Sequence, residues 1–162
     1  MTIATNREHL DFGASEGSRW TGVAKQVIDA AGTTRQLLVG ESGALCIFST
    51  VAGQIYNLPL IGADDIGMWF EFAITVSGTS NSYTINTNAA NFLSGGIVAT
   101  STTPGDEDVF TGDNATDTAL TLDADVDGRL AGGMFKLTAV SLTKWAIGGF
   151  TVTTPAAQDP FS

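Results

Sequence analysis

The chain has 162 residues, with 7 Lys+Arg against 17 Asp+Glu, a formal net charge of −10 and a pI near 4.1. That length bounds it to one domain with or without an arm, and it is long enough to bury a core without metal or disulfide. At 43% hydrophobic and 15% charged it is no disordered acidic tail, its single cysteine excludes disulfide scaffolds and cysteine-rich zinc sites, and its few dispersed basic residues argue against nucleic acid.

Residues 1–20 are polar and rich in Gly and Ser, with isolated apolar residues that follow no period. They read as an N-terminal arm that orders against a partner, or as a frayed terminus. Within the arm, Gly13-Ala14-Ser15-Glu16-Gly17 matches the pattern of a nucleophile elbow. Neither a strand before it nor a helix after it is indicated, and the only histidine, His9, precedes the serine, so the elbow is rejected. His9 itself has no second ligand nearby and reads as a solvated side chain.

A domain over residues 21–154 follows. Ala24 to Ala31 has the composition of a helical turn or two, stopped by Gly32. Short strands are then expected at Arg35 to Val39, Leu45 to Ser49 and Gln54 to Leu58. Cys46 lies in the second of these and reads as a small core hydrophobe, with no base to activate it. Met68 to Val76 has the clearest alternation, with Met68, Phe70, Phe72, Ile74 and Val76 on one face and Trp69, Glu71 and Ala73 on the other. Ser77-Gly78-Thr79-Ser80-Asn81 reads as a hairpin loop leading to a strand at Ser82 to Thr87. Further strands are expected at Ile97 to Thr102, Ala119 to Leu122, Met134 to Val140 and Lys144 to Thr153. In the last of these Trp145 and Ile147 share one parity while Phe150 and Val152 take the other, and the switch at Gly148-Gly149 suggests a bulge or sharp bend that would turn Phe150 to the same side as Trp145. Trp145 reads as structural. Residues 155–162, with Pro155 and Pro160, form a tail. Many short strands without long amphipathic helices give an all-β expectation: an antiparallel sandwich or jelly roll. No convincing internal repeat is visible.

Eight of the seventeen acids lie between Pro104 and Gly128, with no Lys or Arg among them, and read as a solvated loop. Their density would allow the paired carboxylates of glycoside hydrolysis, but nothing marks one as the proton donor. Asp123, Asp125 and Asp127 before Gly128 reproduce the first half of an EF-hand loop. Met134 stands where the bidentate Glu belongs, so an EF-hand is excluded. A Ca²⁺ site in a β-loop is the alternative to alternating Asp on an exposed strand end with Val126 turned inward. No metal is favoured and no cofactor is expected. Asn114-Ala115-Thr116 is a glycosylation sequon that matters only on a secretory route.

One stretch goes beyond generic β structure. Gly40-Glu41-Ser42-Gly43, then Gly53-Gln54-Ile55-Tyr56-Asn57-Leu58-Pro59, then Gly67-Met68-Trp69-Phe70-Glu71-Phe72 run in order. Gly132-Gly133-Met134-Phe135-Lys136-Leu137-Thr138 leads to Lys144-Trp145-Ala146-Ile147-Gly148-Gly149 as the closing pair. This order resembles bacteriophage virion β-proteins, head decoration or cement proteins above all. The resemblance implies a non-enzymatic subunit, often a homotrimer, that binds the major capsid protein on the outer capsid surface and stabilises the head. It implies localisation to the virion after synthesis in the host cytoplasm, with no signal peptide and no membrane. Arms of such proteins reach onto neighbouring subunits, which makes Leu10, Phe12 and Trp20 the contact residues to expect. The competing expectation is a carbohydrate- or receptor-binding module of a tail fibre, in which Trp20 or Trp69 would stack on a sugar.

Overall fold

In the computed structural model, residues 26–31, 33–123 and 125–162 are described. Eleven strands form: β1 (Val27–Asp29), β2 (Thr34–Gln36), β3 (Leu45–Phe48), β4 (Gln54–Asn57), β5 (Trp69–Ile74), β6 (Tyr83–Asn86), β7 (Phe92–Ser101), β8 (Asp108–Asp113), β9 (Ala119–Leu122), β10 (Leu130–Ser141) and β11 (Lys144–Thr153). The expected alternation is plain in β5, where Phe70, Phe72 and Ile74 are buried while Trp69, Glu71 and Ala73 are half-buried on the opposite face. The fold is all-β, in two sheets. A seven-stranded sheet has the order β1-β3-β5-β10-β11-β7-β8, and a four-stranded sheet the order β2-β4-β6-β9.

The pairing corrects the antiparallel expectation, because both sheets are mixed. The pairs β1·β3, β3·β5, β7·β11, β2·β4 and β4·β6 are parallel, while β5·β10, β10·β11, β7·β8 and β6·β9 are antiparallel. The reason lies in the order of the first six strands, which alternate between the sheets. Parallel neighbours need a return path, and here a strand of the opposite sheet supplies it. The chain therefore winds three times, as β1β2, β3β4 and β5β6. Val27 stacks on Leu45 and Leu45 on Glu71, so the turns differ in length and leave no fixed period in the sequence.

Three local expectations change with it. Ser77–Asn81 is not a hairpin loop, because β5 and β6 belong to different sheets and the segment carries the chain across. Residues 27–29, within the expected helical turn, are β1, whose adjacent Val27 and Ile28 suit a strand. Gly148-Gly149 holds no bulge: β11 pairs with β7 in unbroken register from Lys144 to Thr153. Trp145, Ile147, Thr151 and Thr153 keep one inward parity, and Phe150 faces out. Gly149, itself exposed, has φ +146, and a Cβ there would lie 2.5 Å from the Phe135 Cα and from the Met134 carbonyl oxygen.

One apolar core lies between the sheets. Phe48 of β3 packs on Tyr83 (4.7 Å between centroids), on Tyr56 (5.3 Å) and on Phe72 (6.2 Å). Phe72 in turn stacks on Phe135 at 5.6 Å. The buried Gln54 ties the first turns together: its Oε1 accepts the Ser49 and Thr50 N–H groups, and its Nε2 donates to Asp29 Oδ1 at 3.0 Å and to Ile47 O at 3.3 Å. Residues 155–162 return to the small sheet. Phe161 bridges Leu120, and the Thr118, Ala119 and Thr121 N–H groups donate to the carbonyls of Ser162, Ser162 and Pro160. The tail thus covers the β9 edge.

Two stability changes follow. Phe72→Ala should lower the unfolding free energy by about 3–5 kcal/mol in urea titrations, the usual cost of emptying an aromatic site. Gly149→Ala should cost about 1–3 kcal/mol although it adds only a methyl group, because the φ is unfavourable and the Cβ meets backbone. A neutral result for either would contradict the packing described.

Candidate functional site

Among the described residues, several groups that could carry chemistry are held in structural contacts. The Cys46 thiol is buried and desolvation pushes it up to about 12, so at neutral pH it is neither nucleophile nor ligand. The hydroxyl of Tyr56 lies 2.8 Å from the Ile47 carbonyl and 3.0 Å from that of Ile28, accepts the Ala30 N–H at 3.1 Å, and is raised above the ordinary phenol range by burial. Trp145 is fully buried against Phe70, in agreement with its structural reading.

The acidic stretch from Pro104 to Gly128 is not one solvated loop. It contains β8 at the edge of the large sheet, β9 at the edge of the small one beneath the C-terminal tail, and a 3₁₀ turn at Asp125–Asp127. Between the two strands Asp113 organises a tight turn. Its Oδ1 accepts the N–H groups of Ala115 (2.8 Å), Thr116 (2.7 Å) and Asp117 (3.2 Å), and its Oδ2 accepts the Thr116 hydroxyl. Asp117 Oδ2 answers by accepting the Asp113 N–H at 2.7 Å. The Thr116 hydroxyl first, then the backbone donors, hold the Asp113 carboxyl below the usual carboxylate range. Asp29 is lowered likewise, mainly by the Ala31 N–H and then by Ser49.

The three aspartates weighed as a Ca²⁺ loop have different surroundings. Asp123 is exposed. Asp125 Oδ1 lies 3.5 Å from the Nη2 of Arg129, whose side chain is largely buried and also reaches the Asn81 carbonyl at 3.4 Å. Asp127 is buried, so the expectation of outward aspartates holds at Asp123 and fails at Asp127, while Val126 is only half-buried. A 3₁₀ turn interrupts the strand period there, so alternate positions no longer share a face. The guanidinium of Arg129 supplies the positive charge beside Asp125. Among the described residues no group of three or more His, Cys, Asp or Glu converges as a metal site would require.

Two surfaces formed by the described residues bear on binding. On the small sheet an open groove of about 370 Å³ is lined by the polar residues Thr33, Thr34, Asn81, Ser82 and Thr84 together with Ala52, Gly53 and Ile55. On the large sheet the outer face carries Trp69, half-buried, with Lys136 Nζ 4.2 Å from its ring centroid. Trp69 does face away from Phe70 and Phe72, as its parity predicts, but it lies on a different sheet from the groove. The same outer face exposes Val98, Val109, Met134 and Phe150. Sequence reasoning missed these four as a group, because they gather only through strand pairing between distant segments. Leu10, Phe12 and Trp20, expected as partner contacts, lie outside the described residues. No helix among the described residues is long and apolar enough to cross a membrane.

Comparison of the chain with protein-family models, with curated proteins and with solved structures found no match.

The titration of Asp113 has a definite sign. Its folded pKa lies below its unfolded value, so its contribution is present above the ordinary carboxylate range and is lost as pH falls through and below pH 4. Asp113→Asn should therefore flatten the acid limb of a melting-temperature profile relative to wild type, with little change in slope above pH 6. Cys46 should react with a thiol reagent at neutral pH only as fast as the protein unfolds. Prompt labelling of the native state would contradict its burial.

Proposed function

We propose that the chain is a non-enzymatic structural virion protein, a β-sandwich or jelly-roll-like subunit that binds the outer capsid surface and stabilises the head as a decoration or cement protein. In this reading it is a homotrimer, its partner is the major capsid protein, and residues 1–20 are the arm that reaches a neighbour. The observation that carries the reading is the outer face of the seven-stranded sheet, where Val98, Val109, Met134 and Phe150 stand open to solvent on well-paired strands. A contiguous apolar area on a rigid sheet is a surface for covering by protein. The anchoring of Asp113, Asp125, Cys46 and Tyr56 in structural contacts supports a scaffold role rather than a catalytic one.

A second reading, the carbohydrate- or receptor-binding module of a tail fibre, is favoured by the groove on the small sheet. Its polar lining residues offer donors and acceptors to a sugar. Trp69 already holds the Lys136 ammonium over its ring and is the weaker candidate for sugar stacking.

Heads of a phage that encodes this chain, prepared without it, should take up the purified protein to saturation and then withstand heating that ruptures undecorated heads. Heads that bind none of it would overturn the decoration reading. A glycan array addresses the alternative: saturable binding abolished by Asn81→Ala or Thr84→Ala, with the fold intact, would favour the module instead.

A further inference from the structure

We propose that copies of this chain associate through the outer face of the seven-stranded sheet, along one row of apolar side chains that crosses it from β5 to β8. The proposal rests on the self-association in the reading above and assigns this face to a second copy, leaving capsid binding to other surfaces. Strand register places the row. Ala73 pairs with Met134, Met134 with Phe150, Phe150 with Val98, and Val98 with Val109. Residues in register on adjacent strands point to the same side, about 5 Å apart, so these five form a continuous line over five strands. Four of them are open: Met134 is 47% exposed, Phe150 39%, Val98 40% and Val109 62%.

Charge identifies the occupant. The chain carries −10 overall, so two copies repel wherever acidic surfaces meet. Strands β5, β10, β11 and β7 hold only three charged residues, Glu71, Lys136 and Lys144, and Lys136 stands directly opposite Glu71 in the register. The middle of this face is thus close to neutral on a strongly acidic protein, and like copies can meet there without like charges in contact. A partner with a basic surface would instead be met by acids among the apolar residues. Here the acid that shares the outer parity, Asp113, lies to the side at the end of the edge strand β8, in the position of a solvated rim.

Size agrees. Five strands spaced about 4.8 Å apart, with ten-residue strands among them, give a plane of roughly 20 by 30 Å, comparable with the roughly 800 Å² per partner that specific complexes bury. Phe150, near the middle of the row, is the aromatic anchor of the contact between copies.

Light scattering on the full chain tests this with four proteins: wild type, Phe150→Asp, Met134→Asp, and Val51→Asp as an equally charged control at an exposed site off the face. Wild type and Val51→Asp should give a multiple of 16.8 kDa, while the two face variants fall to the monomer mass with unchanged circular dichroism. Added salt, by screening the acidic charge, should tighten the wild-type assembly at least several-fold. As a measurement that leaves the assembly intact, Phe150→Cys should form an intermolecular disulfide on oxidation and Val51→Cys should not. An oligomer that both face variants preserve, with no Phe150→Cys cross-link, overturns the assignment of the face and leaves self-association standing. A wild-type monomer at all salt concentrations overturns both.

Discussion

Everything in this molecule depends on Phe48 and the two tyrosines it touches. Its ring sits between the sheets, on Tyr83 and Tyr56 of the small sheet and on Phe72 of the large one. Rings of this size supply much of the apolar area available to hold two layers together. The tyrosines add something that phenylalanine could not. The Tyr83 hydroxyl lies 2.7 Å from the Thr50 carbonyl and 2.8 Å from that of Val76, in two of the segments that carry the chain from the large sheet to the small one, β3 to β4 and β5 to β6. The Tyr56 hydroxyl does the same for β1 and β3 through Ile28 and Ile47. Carbonyls that leave a strand at a crossover lose their ladder partner, and a buried unpaired carbonyl costs free energy. The aromatic core therefore also satisfies the polar groups exposed by the winding.

This division explains which parts of the fold were legible in the sequence. Strands β3, β4, β5, β6, β9 and β11 could be read nearly to the residue, because each alternates inward and outward over a stretch bounded by turn residues. Their partners could not. Alternation states which side of a strand is buried and says nothing about which strand lies beside it, so β5 followed by a Gly/Ser segment looked like half a hairpin. Strand β8 was hidden by its acids: Asp108 and Asp113 bracket Val109 and Phe110, and the surrounding charge density outweighed a short apolar core. At the end of β11, the exposed Gly148 and Gly149 interrupt the alternation, and Thr151 and Thr153 follow where apolar residues would normally mark the inward face. Phe150 stood out in the sequence as the hydrophobe and was assigned to the wrong side.

The surfaces were less legible still. The inward or outward parity of Trp69 could be read correctly, but its ammonium partner Lys136 comes from a strand far along the chain. The spacing of Asp123, Asp125 and Asp127 suggested convergence on a cation. A tight turn instead separates them, with one beside a guanidinium and one buried. In both cases the residue types were informative, and what local spacing lacked was the neighbour brought in by the sheet.

The position of β10 and β11 has a consequence for how the molecule assembles. The two strands form one hairpin, yet in the large sheet they stand between β5 and β7 and so separate β1-β3-β5 from β7-β8. Neither flank touches the other through the sheet. Until residues 130–153 are in place, β5 and β7 both present open edges, and both invite pairing with the wrong strand. Closing them requires ladders between segments far apart in the chain, the kind of contact that slows folding because loop entropy is lost before the pairing repays it. The late hairpin works as a keystone: the flanks become one sheet in the same step that removes their edges, so unfolding that begins by loosening this hairpin would expose both at once.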